Sequence, residues 1–521
     1  MNSSILRKVR IVVSILFIVV TTFLFVDIYN LITPAIAGKI TFLQFVPSLL
    51  KFIAIFSFSS FGFLIIFLLT FLFGRIYCSS ICPLGTFQDV INFVSKKIKK
   101  KKRKNLYLKE IKWLRFTILG LTIIFFLFGS TLAINFFDPY SIYGRIAGNF
   151  FRPILIGINN VIAYSLEKVR IFWISPFDLK AFNFIPFFIS LAFLILVFVL
   201  AWKKGRLYCN TVCPVGTLLG YLSKLSLFKI IINEEDCLSC GACARECKAD
   251  CIDSLNKKID YTRCVVCFDC LTSCPTDGIT FSYSKKEKNV DKKVDEKKRD
   301  FLTKTSIYFL SLSTIAAQIE KKIKVTKPSK VQIFRKHAVS PPGSLSIERF
   351  NSKCTSCHLC VSVCPTQVLQ PSFLEYGFTG MLQPRLDNQA GFCNYECKIC
   401  SDICPTGAIL PINLEDKKLT QLGVAKFIKE NCIVHTQKTD CGACSEHCPT
   451  KAVHMIPYEG NLVIPEVREK YCIGCGACEF ACPVIPFKAI YVEGNDVHKK
   501  AEKNTELKLQ QKIDLKEEFP F

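Results

Sequence analysis

The sequence predicts two architectures in one chain: an α-helical membrane domain, followed by small cysteine-rich domains of α+β type. Three observations carry that prediction. Half of the 521 residues are apolar and Phe alone contributes 46, more than a soluble core needs. The long apolar runs lie before about residue 205, whereas 25 of the 29 cysteines lie beyond Cys213. Those cysteines recur in quartets, mostly with gaps of two, two and three residues. A chain of this length also exceeds what one hydrophobic core serves, so several domains are expected.

The membrane domain, residues 1–225, contains four apolar stretches: Ile11–Ile32, Phe52–Phe73, Trp113–Ile134 and Phe184–Trp202. Each approaches the roughly 20 residues a bilayer requires, and none has the polar face of a soluble core helix. Basic residues cluster at Arg7, Lys8 and Arg10, at Lys96–Lys104, and at Lys203, Lys204 and Arg206. If each span crosses once, all three clusters share one side. The Lys/Arg bias then predicts a bacterial inner-membrane protein with a cytoplasmic N-terminus and a cytoplasmic first cysteine-rich domain. The N-terminal run is too long for a cleaved signal and lacks an A-x-A site. The net charge of +25 is explained by this placement, so nucleic acid is not an expected partner.

Residues 226–284 form the first cysteine-rich domain and residues 331–495 the second. Between them, residues 285–330 combine a charged linker with a short apolar segment, Ile307–Ala317. The preceding Lys298-Arg299-Asp300-Phe301-Leu302 is similar to a twin-arginine export signal with Lys in the first position. The segment reads as export-like, as a fifth short span, or as a short interfacial or core helix. Residues 496–521 read as a charged tail.

Spacing identifies the cysteine chemistry. Disulfide scaffolds and zinc sites do not repeat a C-x2-C-x2-C-x3-C rhythm, whereas 4Fe–4S ligation does. Cys237, Cys240, Cys243 and Cys247 precede Cys264, Cys267, Cys270 and Cys274. In the two-cluster ferredoxin pattern the fourth cysteine of each quartet crosses over. One cluster is therefore assigned to Cys237, Cys240, Cys243 and Cys274, and the other to Cys264, Cys267, Cys270 and Cys247. Lys248 stands where Pro is usual, and Cys251 is a bystander or a substitute for Cys247.

Four further quartets follow: Cys354, Cys357, Cys360, Cys364; Cys393, Cys397, Cys400, Cys404; Cys432, Cys441, Cys444, Cys448; and Cys472, Cys475, Cys478, Cys482. Six quartets predict six 4Fe–4S clusters in ferredoxin-like domains. Spacing leaves open whether the last four exchange ligands between neighbours or between outer and inner quartets. The C-x-x-C-H at Cys354–His358 matches haem attachment, but that use would strand Cys360 and Cys364.

The remaining cysteines form a duplicated C-x3-C-P. Gly74-Arg75-Ile76-Tyr77-Cys78-Ser79-Ser80-Ile81-Cys82-Pro83 parallels Gly205-Arg206-Leu207-Tyr208-Cys209-Asn210-Thr211-Val212-Cys213-Pro214. Cysteines four apart share a helix face, so Cys78, Cys82, Cys209 and Cys213 are expected to meet as a metal, cluster or redox-disulfide site. Packing as small buried hydrophobes is the competing reading.

With these motifs in hand, residues 1–285 resemble NapH/MauN-type membrane ferredoxins, and the part from about residue 298 resembles NapG/MauM-type four-cluster ferredoxins. The C-x3-C-P feature is shared with NosR-type regulators and CcoG-type assembly factors. The resemblance implies oxidation of quinol from the membrane pool and electron delivery to a redox partner such as a periplasmic nitrate or nitrous oxide reductase. The four-cluster domain would then be periplasmic. Copper or thiol reduction in metal-centre assembly, or a regulatory role, is the alternative that it implies. Lys298 and Lys248 depart from the family pattern. No residue reads as a conventional catalytic group, and Asp27 and Asp138, at predicted span ends, are the candidate quinol proton acceptors.

Overall fold

A computed structural model describes residues 3–56, 60–99, 107, 110–178, 184–283 and 331–504. Residues 100–104 of the basic run, the linker with its export-like segment, and residues 505–521 lie outside the described residues, whereas the expected tail from residue 496 begins inside the strand Ile490–Lys500.

The helical part begins with α1, Ser3–Val26. Arg7, Lys8 and Arg10 are therefore helical, and Arg10 is interior rather than a solvated flank. Next come α2 (Pro34–Phe42) and α3 (Phe45–Ile55), bent against each other by 111°. The expected span Phe52–Phe73 is not one helix. Phe56 takes a left-handed conformation that ends α3, and α4 starts afresh at Gly62–Phe73. Gly62 packs on the Phe42 carbonyl with no room for a side chain.

Next come the short α5 (Ile76–Ser80) and the longer α6 (Pro83–Lys99). The expected span Trp113–Ile134 is also interrupted. Helix α7 (Lys112–Leu127) stops before Gly129, whose φ of 75° closes the turn, and α8 (Leu132–Phe137) restarts the chain.

Sequence reading missed the long rod Pro139–Lys168, made of α9 (Pro139–Ile146), a π-type turn (Ala147–Phe151) and α10 (Arg152–Lys168). Its mean hydropathy of 1.2, against 2.7 and 2.9 for α1 and α11, explains the omission. Helices α11 (Phe184–Lys204), α12 (Leu207–Thr211) and α13 (Pro214–Ser223) complete the set. Among the described residues, by length and composition three helices qualify as membrane spans, or up to four if the bent pair counts as one. Val12, Leu16 and Val19 of α1 and Phe188 and Ile195 of α11 point outward, as lipid-facing residues do.

The first ferredoxin module pairs β1 (Phe228–Ile232) with β4 (Ile279–Tyr283) and β2 (Ile252–Asp253) with β3 (Lys258–Ile259), all antiparallel. The second cysteine-rich module, expected to hold four clusters, contains three more antiparallel pairs: β5 (Leu369–Pro371) with β6 (Pro384–Leu386), β7 (Thr420–Phe427) with β10 (Ile490–Lys500), and β8 (Val453–Pro457) with β9 (Val463–Val467). Such small sheets cannot fill a core by themselves. Buried cysteines supply much of the interior instead.

The two modules grip opposite ends of the helices. Arg7 and Arg10, at the start of α1, pair with Asp269 of the first module. Fifteen residues on, about 22 Å along the helix, Phe25 packs beside Gly144 where the Cys357 carbonyl arrives. Likewise Arg115 near the start of α7 bonds Thr262, and Thr131 beyond its end bonds the carbonyls of Asn351 and Cys354.

Candidate functional site

The structure gathers the quartet thiols as neighbouring pairs of quartets exchanging their fourth members. In the first module Cys243 faces Cys237, Cys240 and Cys274, while Cys270 faces Cys267, Cys264 and Cys247. In the second module Cys360 faces Cys354, Cys357 and Cys404, and Cys400 faces Cys393, Cys397 and Cys364. Cys444 faces Cys432, Cys441 and Cys482, and Cys478 faces Cys472, Cys475 and Cys448. Of the two exchange patterns that spacing left open, the geometry has the neighbour exchange.

Three of these groups line small apolar cavities. Backbone N–H groups donate to several sulphurs, as from Ala452 to Cys448 at 3.2 Å and Ala425 to Cys472 at 3.4 Å. Burial pushes the Cys267, Cys357, Cys444 and Cys475 thiols up to about 12. Empty sites would therefore be protonated, and loading them releases protons. Small cavities, convergent thiols and sulphur-directed N–H groups together fit a 4Fe–4S cluster.

Cys251 lies 3.5 Å from Cys247, sulphur to sulphur. This contact, with backbone N–H groups, holds the Cys247 thiol below its usual range. His358 is buried with Nε2 against the Leu382 carbonyl at 2.9 Å, and Cys354 and Cys357 converge with Cys360 and Cys404 rather than on a haem.

The groups also form a sequence in space. The Cys357 loop touches the helices at Gly144, and Cys393 bonds through its N–H to the Cys475 carbonyl at 2.8 Å. Cys478 in turn neighbours Cys444. In the first module Cys243 and Cys270 adjoin, and Cys240 is exposed.

Between the modules, Cys78, Cys82, Cys209 and Cys213 come together, each at most 4% exposed, and they interact electrostatically with one another. They do not share helix faces as expected. Pro83 and Pro214 have no N–H to continue a helix, so α5 and α12 stop and each second cysteine begins the next helix. Among the described residues no three metal-binding side chains converge as on a single ion.

The halves of the repeat brace each other. Arg75 Nη2 donates to the Cys209 carbonyl at 3.2 Å, and Arg206 Nη1 to the Cys78 carbonyl. A Cβ on Gly85 or Gly216 would lie 2.3 Å from those same carbonyls, so only glycine fits. Asp89 and Asp269 then join this region to the first module. Asp89 Oδ1 accepts from Arg206 Nε at 2.8 Å, and its Oδ2 pairs with Arg10 at 3.1 Å and Lys248 at 3.3 Å. Lys248 also reaches Asp269 at 3.0 Å. The residue that departed from the ferredoxin pattern is a bridging cation.

Beside Cys213 lies an apolar recess of about 660 Å³, lined by residues that include Phe45, Leu49, Leu119, Phe126 and Val215, with Asp138 as its one carboxylate. Asp138 caps α9, its Oδ2 accepting from Ser141 N at 2.9 Å and Ser141 Oγ at 2.6 Å. Asp27 is elsewhere, capping the turn at Tyr29 and Ile32. Sequence reading missed Arg145, which is 1% exposed. Its guanidinium makes no hydrogen bond, stacks over Phe193 and neighbours Asp138, Tyr208 and Cys357. Its charge in an apolar stretch was the available signal.

Comparison with known proteins fits this geometry. Residues 56–101 and 186–233, the two C-x3-C-P segments, match a 4Fe-4S binding domain model. Residues 353–409 and 439–485 each match a 4Fe-4S dicluster domain, the same neighbouring quartets that the structure pairs. The chain carries 4Fe-4S binding domains.

An uncharacterised protein of Methanocaldococcus jannaschii is 35% identical over 95 residues, 18% of this chain and 38% of that one. A putative electron transport protein of Escherichia coli, YccM, is 27% identical over 230 residues, 41% of this chain and 53% of the relative. The methylamine utilization ferredoxin-type protein MauN of Methylobacillus flagellatus is 23% identical over 175 residues, 33% of this chain and 48% of MauN. The chain thus spans about half the length of these relatives or less. No solved structure matches it.

Proposed function

We propose that this iron–sulphur protein oxidises quinol within the helical domain and passes the electrons to a redox partner through its cysteine-ligated clusters. The observation that carries the proposal is the apolar recess bordered by Asp138 and opening beside Cys213-Pro214. An apolar pocket with one polar group suits a quinol ring and its tail. Quinol loses two electrons and two protons, and Asp138 is placed to take the protons in turn.

Six 4Fe–4S clusters are assigned to the crossed quartets, each supplying a one-electron centre tuned by burial and by N–H groups donating to sulphur. The chain's own residues set the order. Gly144 brings the Cys357 loop against the helices, and the Cys393 to Cys475 backbone contact links the two halves of the four-cluster module. Arg7, Lys96 and Lys203 all lie toward the first module, with Arg7 held by Asp269 and Lys96 by Glu246. This supports a cytoplasmic first module and a four-cluster module on the opposite, periplasmic side.

The test uses the full chain, cluster-loaded, in lipid with a short-tailed quinol. Asn caps a helix as well as Asp does, so Asp138→Asn should fold and load normally. Its quinol-driven cluster reduction should slow about tenfold or more, the lower range for losing a general base, while dithionite reduction stays unchanged. Equal quinol-driven rates in the two proteins would remove Asp138 and the recess from the reaction.

A further inference from the structure

We propose that Arg145, a residue of the helical domain, tunes the 4Fe–4S cluster assigned to Cys354, Cys357, Cys360 and Cys404 by raising that cluster's affinity for an electron. The proposal rests on the cluster reading of this quartet and needs no particular electron donor.

Placement comes first. Arg145 follows Gly144 in α9, and a Cβ on Gly144 would lie 2.5 Å from the Cys357 carbonyl. The helix thus carries the guanidinium to the edge of this cysteine group, and its charge reaches Cys357. Arg145 also lies within the rod Pro139–Lys168, which is apolar enough to cross a membrane. A charged side chain in such a helix is costly and points to function.

The guanidinium has nothing to balance it. Arg145 is 1% exposed, and its Nε, Nη1 and Nη2 have no hydrogen-bond partner among the described residues. Asp138 is within electrostatic reach, but its Oδ2 is occupied by Ser141 N and Oγ. Phe193 stacks 5.3 Å away and fixes the group without using an N–H. A buried cation lacking a paired anion is expensive.

Two more buried groups around the same cysteines want a partner. Tyr140 is 1% exposed, its hydroxyl has no partner among the described residues, and it neighbours Cys357 and Cys404. Thr355, between Cys354 and Cys357, is equally buried with an unpartnered Oγ1. Orphaned polar groups are rare in native proteins and call for an explanation. An anionic cluster supplies both the missing charge and sulphur acceptors. Reduction adds one electron to it, and a fixed positive charge in a low dielectric favours the more negative state. The outer quartets are surrounded differently. The charges acting most strongly on Cys444 and Cys478 are those of other cysteines, and Cys472 faces Glu469. Lys488 donates to the Cys482 carbonyl but is only half-buried, where solvent screens it.

The cluster-loaded full chain in lipid is titrated with dithionite, which supplies each electron and is oxidised in exchange, and the centres are followed by electron paramagnetic resonance. In Arg145→Met one centre should become about tenfold harder to reduce or more, a fall of about 59 mV for one electron. Iron content and the other potentials should not change. Arg145→Lys restores a cation and should recover most of the shift. The double variant Cys357→Ser/Cys360→Ser identifies the centre, because the signal it removes should be the one that Arg145→Met moves. Unmoved potentials in Arg145→Met, equal shifts in the Met and Lys variants, or a shift in a different centre would overturn the proposal. So would iron lost from both Arg145 variants, which would make shape rather than charge the requirement. Iron lost from Arg145→Met alone would support it, since the charge would then be needed to hold the cluster at all. Iron content that the double cysteine variant leaves unchanged would refute the cluster reading of the quartet itself, and the proposal with it.

Discussion

The two ferredoxin modules meet the helices through interfaces of different physical character. At the first, cations and carboxylates interlock: Arg10, Arg206 and Lys248 converge on Asp89, and Arg7 and Lys248 on Asp269. At the second, close contacts around glycines and a hydroxyl take the place of charge. The Cys357 carbonyl sits against Gly144, Gly407 packs on Ala54 and Ile55, and Thr131 bonds two carbonyls. The first interface is specified by charge and the second by closeness. Charged contacts fail when one partner goes, whereas close contacts fail when a methyl is added.

The largest effect should come from Asp89→Ala. Three cations would lose their shared anion in a buried site, costing about 3–5 kcal/mol, read as a fall in the unfolding midpoint of the first module in detergent. A loss under about 1 kcal/mol would mean that the network is not what holds this interface. The same groups give it an acid limit. Burial alone raises Asp89, but Arg206, Lys248 and Arg10 outweigh it and hold the carboxyl well below its usual range. Asp269 is lowered in the same way by Lys248, Arg10 and Arg7. Because the folded values are depressed, the stabilisation is complete above the ordinary carboxylate range near pH 4 and is lost as pH falls toward the folded values. Acid should therefore weaken this interface before the other.

Gly144→Ala tests the second interface with a change of sign. Within a helix Gly to Ala ordinarily stabilises by about 1 kcal/mol. Here the new Cβ would lie 2.5 Å from the Cys357 carbonyl and 2.7 Å from the Phe25 ring, and such overpacking costs about 1–3 kcal/mol. Gly157 on α10 has open space around it, so Gly157→Ala should stabilise. Thermal unfolding of the two variants side by side checks this. A stabilising Gly144→Ala would mean that the module does not dock there.

Much of the chemistry was legible because cysteine spacing is a local code. The thiols within each neighbouring pair of quartets lie close to one another, and Cys78, Cys82, Cys209 and Cys213 adjoin. Less legible was whatever depends on long-range packing. The neighbour exchange between Cys364 and Cys404 is set by how two loops fold over each other. The rod Pro139–Lys168 escaped notice because Arg145, Arg152 and Asn159 dilute its apolar character, yet those residues face protein rather than lipid. Spans were placed by hydropathy alone, and hydropathy cannot register the turns at Phe56 and Gly129. Lys248 read as an irregularity until its partners Asp89 and Asp269 were visible.

The smallest effect should follow Thr131→Val, which preserves shape and removes one hydroxyl. That hydroxyl lies 2.8 Å from the Asn351 carbonyl and 2.7 Å from that of Cys354, and a single proton serves only one of them at a time. Gln383 Nε2 also donates to both carbonyls, at 3.1 and 3.3 Å, so neither acceptor is orphaned when the hydroxyl goes. The cost should be close to one ordinary hydrogen bond, about 1 kcal/mol, below that of Asp89→Ala and Gly144→Ala. Pairing it with Gln383→Leu removes the backup donor and leaves the Asn351 carbonyl without either side-chain partner, so the double variant should lose more than the sum of the singles. Strict additivity in thermal unfolding would show that the carbonyls find other donors, and that closeness without hydrogen bonding is enough to seat the four-cluster module.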